Sequence, residues 1–155
     1  MVSLYAESSV VPVFMLKVMT ATPLEKIRIE KEGVPGAVVK GMSKKMGLST
    51  LRFFSILGVP KATAEKKTAT GAMINGVGGL AAVGMVELLS KAEAMAANST
   101  AEEAKTFDSA LWLGQWIETP QPALGRHKPA DLIGSPTGLS VVKRLLGSIA
   151  SGAYQ

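Results

Sequence analysis

The hexapeptide Gly76-Val77-Gly78-Gly79-Leu80-Ala81 has the residue types and spacing of G-x-G-x-x-A. In a dinucleotide-binding turn those glycines let the backbone approach a pyrophosphate at a helix N-terminus, where unpaired N–H groups face the anion. That chemistry needs an apolar parallel strand before the first glycine and a βαβ unit around it. Here the segment follows a polar stretch and "TGAMIN", and no apolar parallel strand comes after it. Gly71 and Gly76 have P-loop spacing, but Val77 stands where a phosphate-binding lysine is required. The small residues are therefore expected to form a close helix–helix contact, one that could lie between subunits. Each glycine costs such a helix about 1 kcal/mol relative to alanine.

Other reactive groups are scarce. Cysteine is absent, which removes thiolate nucleophiles and zinc–thiolate sites and fits a reducing, cytoplasmic setting. His127 is the only histidine, so a multi-histidine metal site is excluded and a Ser-His-Asp triad has one candidate base. Aromatic residues, at 5%, are too few for a surface that stacks successive bases. No constellation of acid, base and nucleophile is visible. No catalytic residue, no metal and no cofactor is expected, and the protein is expected not to be an enzyme.

A chain of 155 residues, 47% of them hydrophobic, can build one good core or two small modules that share one. Its net charge of +5 is unevenly placed. Lys17 to Lys67 carries +7, Thr68 to Gly125 carries −4, and Arg126 to Gln155 carries +3. A basic module followed by an acidic connector suits a nucleic-acid-binding half joined to something else. The apolar run from Val10 to Met19 is broken by Pro12 and Lys17 and preceded by Glu7. It falls short of the roughly 20 residues that span a bilayer and lacks a basic leader, so neither membrane span nor signal peptide is expected. It reads as an extended arm or strand packed on the body or on a partner.

Almost every other periodic segment reads as helix. "VPGAVVKGMSKKMG" places Val34, Val38, Val39, Met42 and Met46 on one stripe and ends at Gly47. "LSTLRFFSILG" follows, with Ser49 as N-cap, Leu51, Phe54 and Leu57 on one face and Gly58 as stop. After the turn comes "KATAEKKTATG", short and strongly polar. Two short helices, a glycine-containing turn and a polar third helix suit a helix-turn-helix; a small helical bundle with a solvated basic face fits the spacing equally well. A long helix is expected from Asn75 or Gly76 to about Asn98, with Val77, Leu80, Ala81, Gly84, Leu88 and Met95 near one face. Thr100 and Glu103 suggest a capping box for a helix ending at Thr119, with Phe107, Leu111, Gly114 and Ile117 on one face and Trp112 paired with Trp116. Ser135-Pro136 should cap and start a final helix, Thr137 to Ser151. Leu139, Val142, Leu145, Leu146 and Ile149 form its apolar stripe, with Lys143 and Arg144 facing away.

The last third of the chain carries the most specific order of residues. Trp116, then Pro120, Pro122, Leu124 and Gly125, then Pro129, Asp131 and Leu132, lead into Gly138, Val142, Leu145, Leu146, Gly147, Ile149, Gly152 and Tyr154. This order resembles the toxin-binding domain of the Xre/MbcA/ParS-type antitoxins, and the upstream helices are consistent with the Xre-like helix-turn-helix that precedes it in that family. Two departures stand out. Members commonly have an Asp-Arg pair at the start of the long helix, where this chain reads Gly79-Leu80-Ala81. A second glycine often follows the first after the leucine, where this chain has Arg126.

The expected protein is all-α and in three parts: an N-terminal arm (1–22) and, as the resemblance implies, an Xre-like helix-turn-helix and dimerisation domain (23–99) and a toxin-binding domain (100–155). The resemblance implies a type II antitoxin that occludes the NAD site of a RES-domain toxin and represses its own operon, as a homodimer within a toxin–antitoxin hetero-oligomer. The NAD site would then belong to the toxin. Toxin contact is expected at Trp116, Leu124, Arg126, His127, Lys128, Lys143, Arg144, Tyr154 and Gln155. Operator DNA is expected to meet Lys61, Thr63, Lys66 and Lys67 on the polar helix, with Thr50 and Arg52 positioning the backbone. The competing reading is a stand-alone helix-turn-helix regulator whose C-terminal block only dimerises.

Overall fold

A computed structural model of the protein describes residues 4–99, 102 and 106–152. Eight α-helices dominate the described residues: α1 (Leu4–Met19), α2 (Pro23–Glu32), α3 (Gly36–Lys45), α4 (Thr50–Ile56), α5 (Lys61–Thr70), α6 (Gly76–Ala97), α7 (Ser109–Ile117) and α8 (Pro136–Ala150). The class is all-α. Two two-residue strands, β1 (Val34–Pro35) and β2 (Met73–Ile74), pair antiparallel with Val34 opposite Ile74. They fasten the start of α3 to the entry of α6.

The apolar run at the N-terminus is helical, which corrects the expected arm. Val11, Phe14, Met15 and Val18 recur at i, i+3, i+4 and i+7 and are all buried. Pro12 lies inside α1 on its exposed side. Its lost hydrogen bond and ring clash cost about 3 kcal/mol. Four buried apolar side chains, each contributing about 1.5–3 kcal/mol, outweigh that. The helix packs on α3 and α6.

Helix boundaries follow local signals. Ser49 Oγ accepts from the Arg52 amide at 3.1 Å and Ser135 Oγ from the Gly138 amide at 3.1 Å, so both expected N-caps hold. Gly47, Gly58 and Gly71 follow α3, α4 and α5 with φ of 71°, 79° and 69°, conformations that close a helix without a Cβ penalty. Helix α7 begins later than expected: residues 107 and 108 are not helical, and Asp108 caps by accepting from the Leu111 amide at 3.0 Å. Thr100 and Glu103 lie outside the described residues.

Helix α6 is apolar nearly all round and accordingly sits at the centre, packed by α8, α7, α1 and α2. Its burial runs through Gly78, Gly79 and every residue from Ala81 to Val86, so the single face expected from periodicity is too narrow; Val77 is exposed. Its small residues do make close contacts, and these lie within the chain. A Cβ on Gly84 would collide with Leu139 of α8, one on Gly79 would lie 2.6 Å from the Ile74 carbonyl, and one on Gly78 would lie 2.5 Å from Val59. Above Gly78 and Gly79 the space is filled by the protein itself, whereas above Gly76 it is open among the described residues. Both halves of the chain contribute to one continuous core.

Candidate functional site

Two surfaces collect the residues whose types suggested binding. The first is the α4–turn–α5 unit, joined through residues 57–60. Lys61, Thr63 and Lys66 are exposed along α5, whereas Ala64 is its only buried residue. Lys67 is half-buried and its Nζ donates to the Met73 carbonyl at 2.8 Å, tying α5 to β2. Thr50 opens α4 half-buried. Leu51, expected on the buried face, is 50% exposed; Phe53, Phe54, Ile56 and Leu57 make that face instead. Arg52 is engaged: its Nε and Nη2 donate to Glu118 at 2.8 and 2.6 Å.

That fork joins α4 to the residue capping the C-terminus of α7, across 66 positions of sequence. The hydrogen bond from Arg52 holds the Glu118 carboxyl below its ordinary value against the opposing effect of burial, and the same bond raises Arg52. A depressed carboxyl stabilises the fold fully above the unfolded carboxyl's pKa, about 4.5, and loses that contribution as pH falls through the lowered folded value. Glu118→Gln is therefore expected to cost about 1 kcal/mol at pH 7, a modest figure because the pair is partly solvated. The gap between wild type and variant should shrink in urea titrations as pH falls below 4.5; a gap that does not change with pH rules out ionisation as its source.

The second surface belongs to the C-terminal block. Short 3₁₀ turns at Pro122–Leu124 and Pro129–Asp131 flank a tight loop. The Gln121 carbonyl accepts from the amides of Leu124 (3.0 Å) and Arg126 (2.9 Å), and the Gln121 amide donates to the His127 carbonyl at 3.1 Å. Gly125 and Arg126 are both left-handed, with φ of 63° and 68°. For arginine that conformation costs about 1–2 kcal/mol, which glycine would avoid. Arg126 and His127 are exposed, Leu124 and Lys128 half-buried, and Asp131 accepts from the Lys128 amide at 3.3 Å.

The remaining candidates separate by burial and pairing. Trp116 is buried and stacked on Trp112, with centroids 6.0 Å apart and planes at 18°. Phe107 and Leu111, expected on the buried face of α7, are exposed, and Phe107 extends the aromatic row to the surface. Lys143 does not face away: its Nζ donates to Glu87 at 2.8 Å, and Glu87 also accepts from Lys26 at 3.0 Å, so one carboxylate ties α2, α6 and α8. Arg144 is exposed and, among the described residues, its side chain makes no ion pair or hydrogen bond. Tyr154 and Gln155 lie outside the described residues. Sequence reading missed Glu87 and Glu118 as partners, because nothing local links residues 56 to 66 positions apart.

One core carries a turn-linked helix pair, whose second helix bears exposed Lys61 and Lys66, and a C-terminal block in which Arg126 and Arg144 have no ion pair among the described residues. Residues 104–152 match the family described as the antitoxin Xre/MbcA/ParS C-terminal toxin-binding domain. The chain belongs to the Xre/MbcA/ParS antitoxin family. Among its relatives is the "Prs ADP-ribosylating antitoxin" of Sphingobium sp. (strain YBL2), 31% identical over 150 residues that cover 96% of this chain and 93% of the relative. Among the described residues no helix is long and apolar enough to cross a membrane.

Proposed function

We propose that this antitoxin neutralises a RES-domain toxin by covering its NAD site, without chemistry of its own, and represses its operon by binding DNA. The observation carrying the toxin reading is that the toxin-binding match at 104–152 contains two exposed cations, Arg126 and Arg144, on a clamped loop and on α8, that are unpaired among the described residues. Co-expression tests it. Cells making the toxin encoded in the same operon should grow, with normal NAD, only when this chain is present. Equal toxicity with and without the chain returns the stand-alone regulator to first place.

For DNA, the support is the exposed polar face of α5 beside a glycine-containing turn, in a segment carrying +7 from Lys17 to Lys67. Lys61→Ala combined with Lys66→Ala is expected to weaken operator binding and to lower its salt slope by roughly two, about 0.9 per lost phosphate contact. Lys67 is left in place because it holds β2. Toxin neutralisation should survive. Identical affinity at three salt concentrations would move the DNA surface elsewhere.

A second copy of the chain is the proposed cover for the outer side of α1 and α2, where Val13, Leu16, Met19, Leu24 and Ile27 are each about half exposed or more. Lys45 and Glu93, in the groove beside Leu16 and Met19, are one cation and one anion that a two-fold axis could pair across the interface. Sedimentation equilibrium checks it, and a monomer at every concentration removes this role for the face.

A further inference from the structure

We propose that Arg126 is a specificity-determining contact of this antitoxin, a guanidinium held out by a strained turn to meet a carboxylate on the toxin. The inference rests on the toxin-binding reading and names the residue that selects the partner. The loop's backbone bonds, converging on Gln121, fix residue 126 in the left-handed region whatever its side chain. Gly125, immediately before it, is also left-handed, and a second glycine would satisfy the turn without strain.

Arg126 is exposed and, among the described residues, its side chain has no hydrogen bond and no ion pair. Other cations do have internal partners: Arg52 on Glu118, Lys143 on Glu87. Strain that persists at an exposed position without internal compensation points to a use outside the chain. A guanidinium fork suits a carboxylate bound by two parallel N–H donors, a geometry that also discriminates between partners. The position falls inside the toxin-binding match, on a loop whose frame is already set, so little ordering is needed on binding.

The test uses the full chain and a catalytically inactive form of the toxin encoded in the same operon. Arg126→Gly should melt at the same temperature as wild type or higher, yet bind the toxin at least about tenfold more weakly and with less dependence on salt. Arg126→Lys, which keeps charge but not the fork, should recover only part of the affinity. Arg126→Gly binding within about twofold of wild type would overturn the proposal. So would a variant that melts well below wild type, since the side chain would then be serving the fold. Failure of the wild-type chain to bind defeats the toxin reading itself, before Arg126 is at issue.

Discussion

Gly114→Ala is expected to lower stability by about 2–3 kcal/mol, although alanine is the better helix former. Gly114 sits in the middle of α7, where a methyl group would collide with the Met46 carbonyl and crowd the Met46 side chain. A side-chain neighbour could rotate aside, but this one is backbone at the end of α3, so α7 must shift bodily. That shift would disturb Leu113, Trp116 and Ile117, all buried. The cost exceeds the roughly 1 kcal/mol that alanine gains in helix propensity. Gly147→Ala in α8 is the control, because among the described residues no atom lies within 4 Å of the added methyl. There the propensity gain stands alone, and stability should rise by up to about 1 kcal/mol. Urea unfolding of both variants decides the matter. If both change stability in the same direction, the packing account of Gly114 is wrong.

Lys143→Glu and Arg144→Glu, at adjacent positions, should separate fold from binding. Lys143 is bound to Glu87, so reversing its charge loses an ion pair and sets two carboxylates together beside Lys26. The expected loss is about 2 kcal/mol of stability, seen as a lowered urea midpoint. Arg144 is exposed and unpaired among the described residues. Its reversal should leave stability within about 0.5 kcal/mol of wild type. On the proposed toxin contact it should weaken binding by about 10- to 100-fold, since a like charge would then face the partner's acidic groups. Toxin binding by titration, read beside the two melts, gives the comparison. An Arg144→Glu chain that binds as tightly as wild type takes this face of α8 out of the interface.

What the sequence determined by itself was the helices from α3 onward, most of their ends and the family. Ser49, Ser135 and the glycines at 47, 58 and 71 act within a single turn of backbone, so their effect is written in their immediate neighbours. The C-terminal order from Trp116 to Tyr154 was specific enough to name the family before any contact was known. Tertiary structure alone decided which faces are covered. It made α1 a helix despite Pro12, because α3 and α6 supply a surface on which its apolar side chains can be buried. It left Leu51, Phe107 and Leu111 exposed, and turned the glycines of α6 from a nucleotide-like motif into seats for Val59, Ile74 and Leu139. It also decided which cations remain free. Arg52 and Lys143 are occupied by Glu118 and Glu87, whereas among the described residues Arg126 and Arg144 have no such partner. Capping and left-handed turns depend on residues a few positions apart. Burial and ion pairing depend on which elements meet, and here the decisive pairs lie 56 and 66 positions apart, beyond the reach of any local pattern.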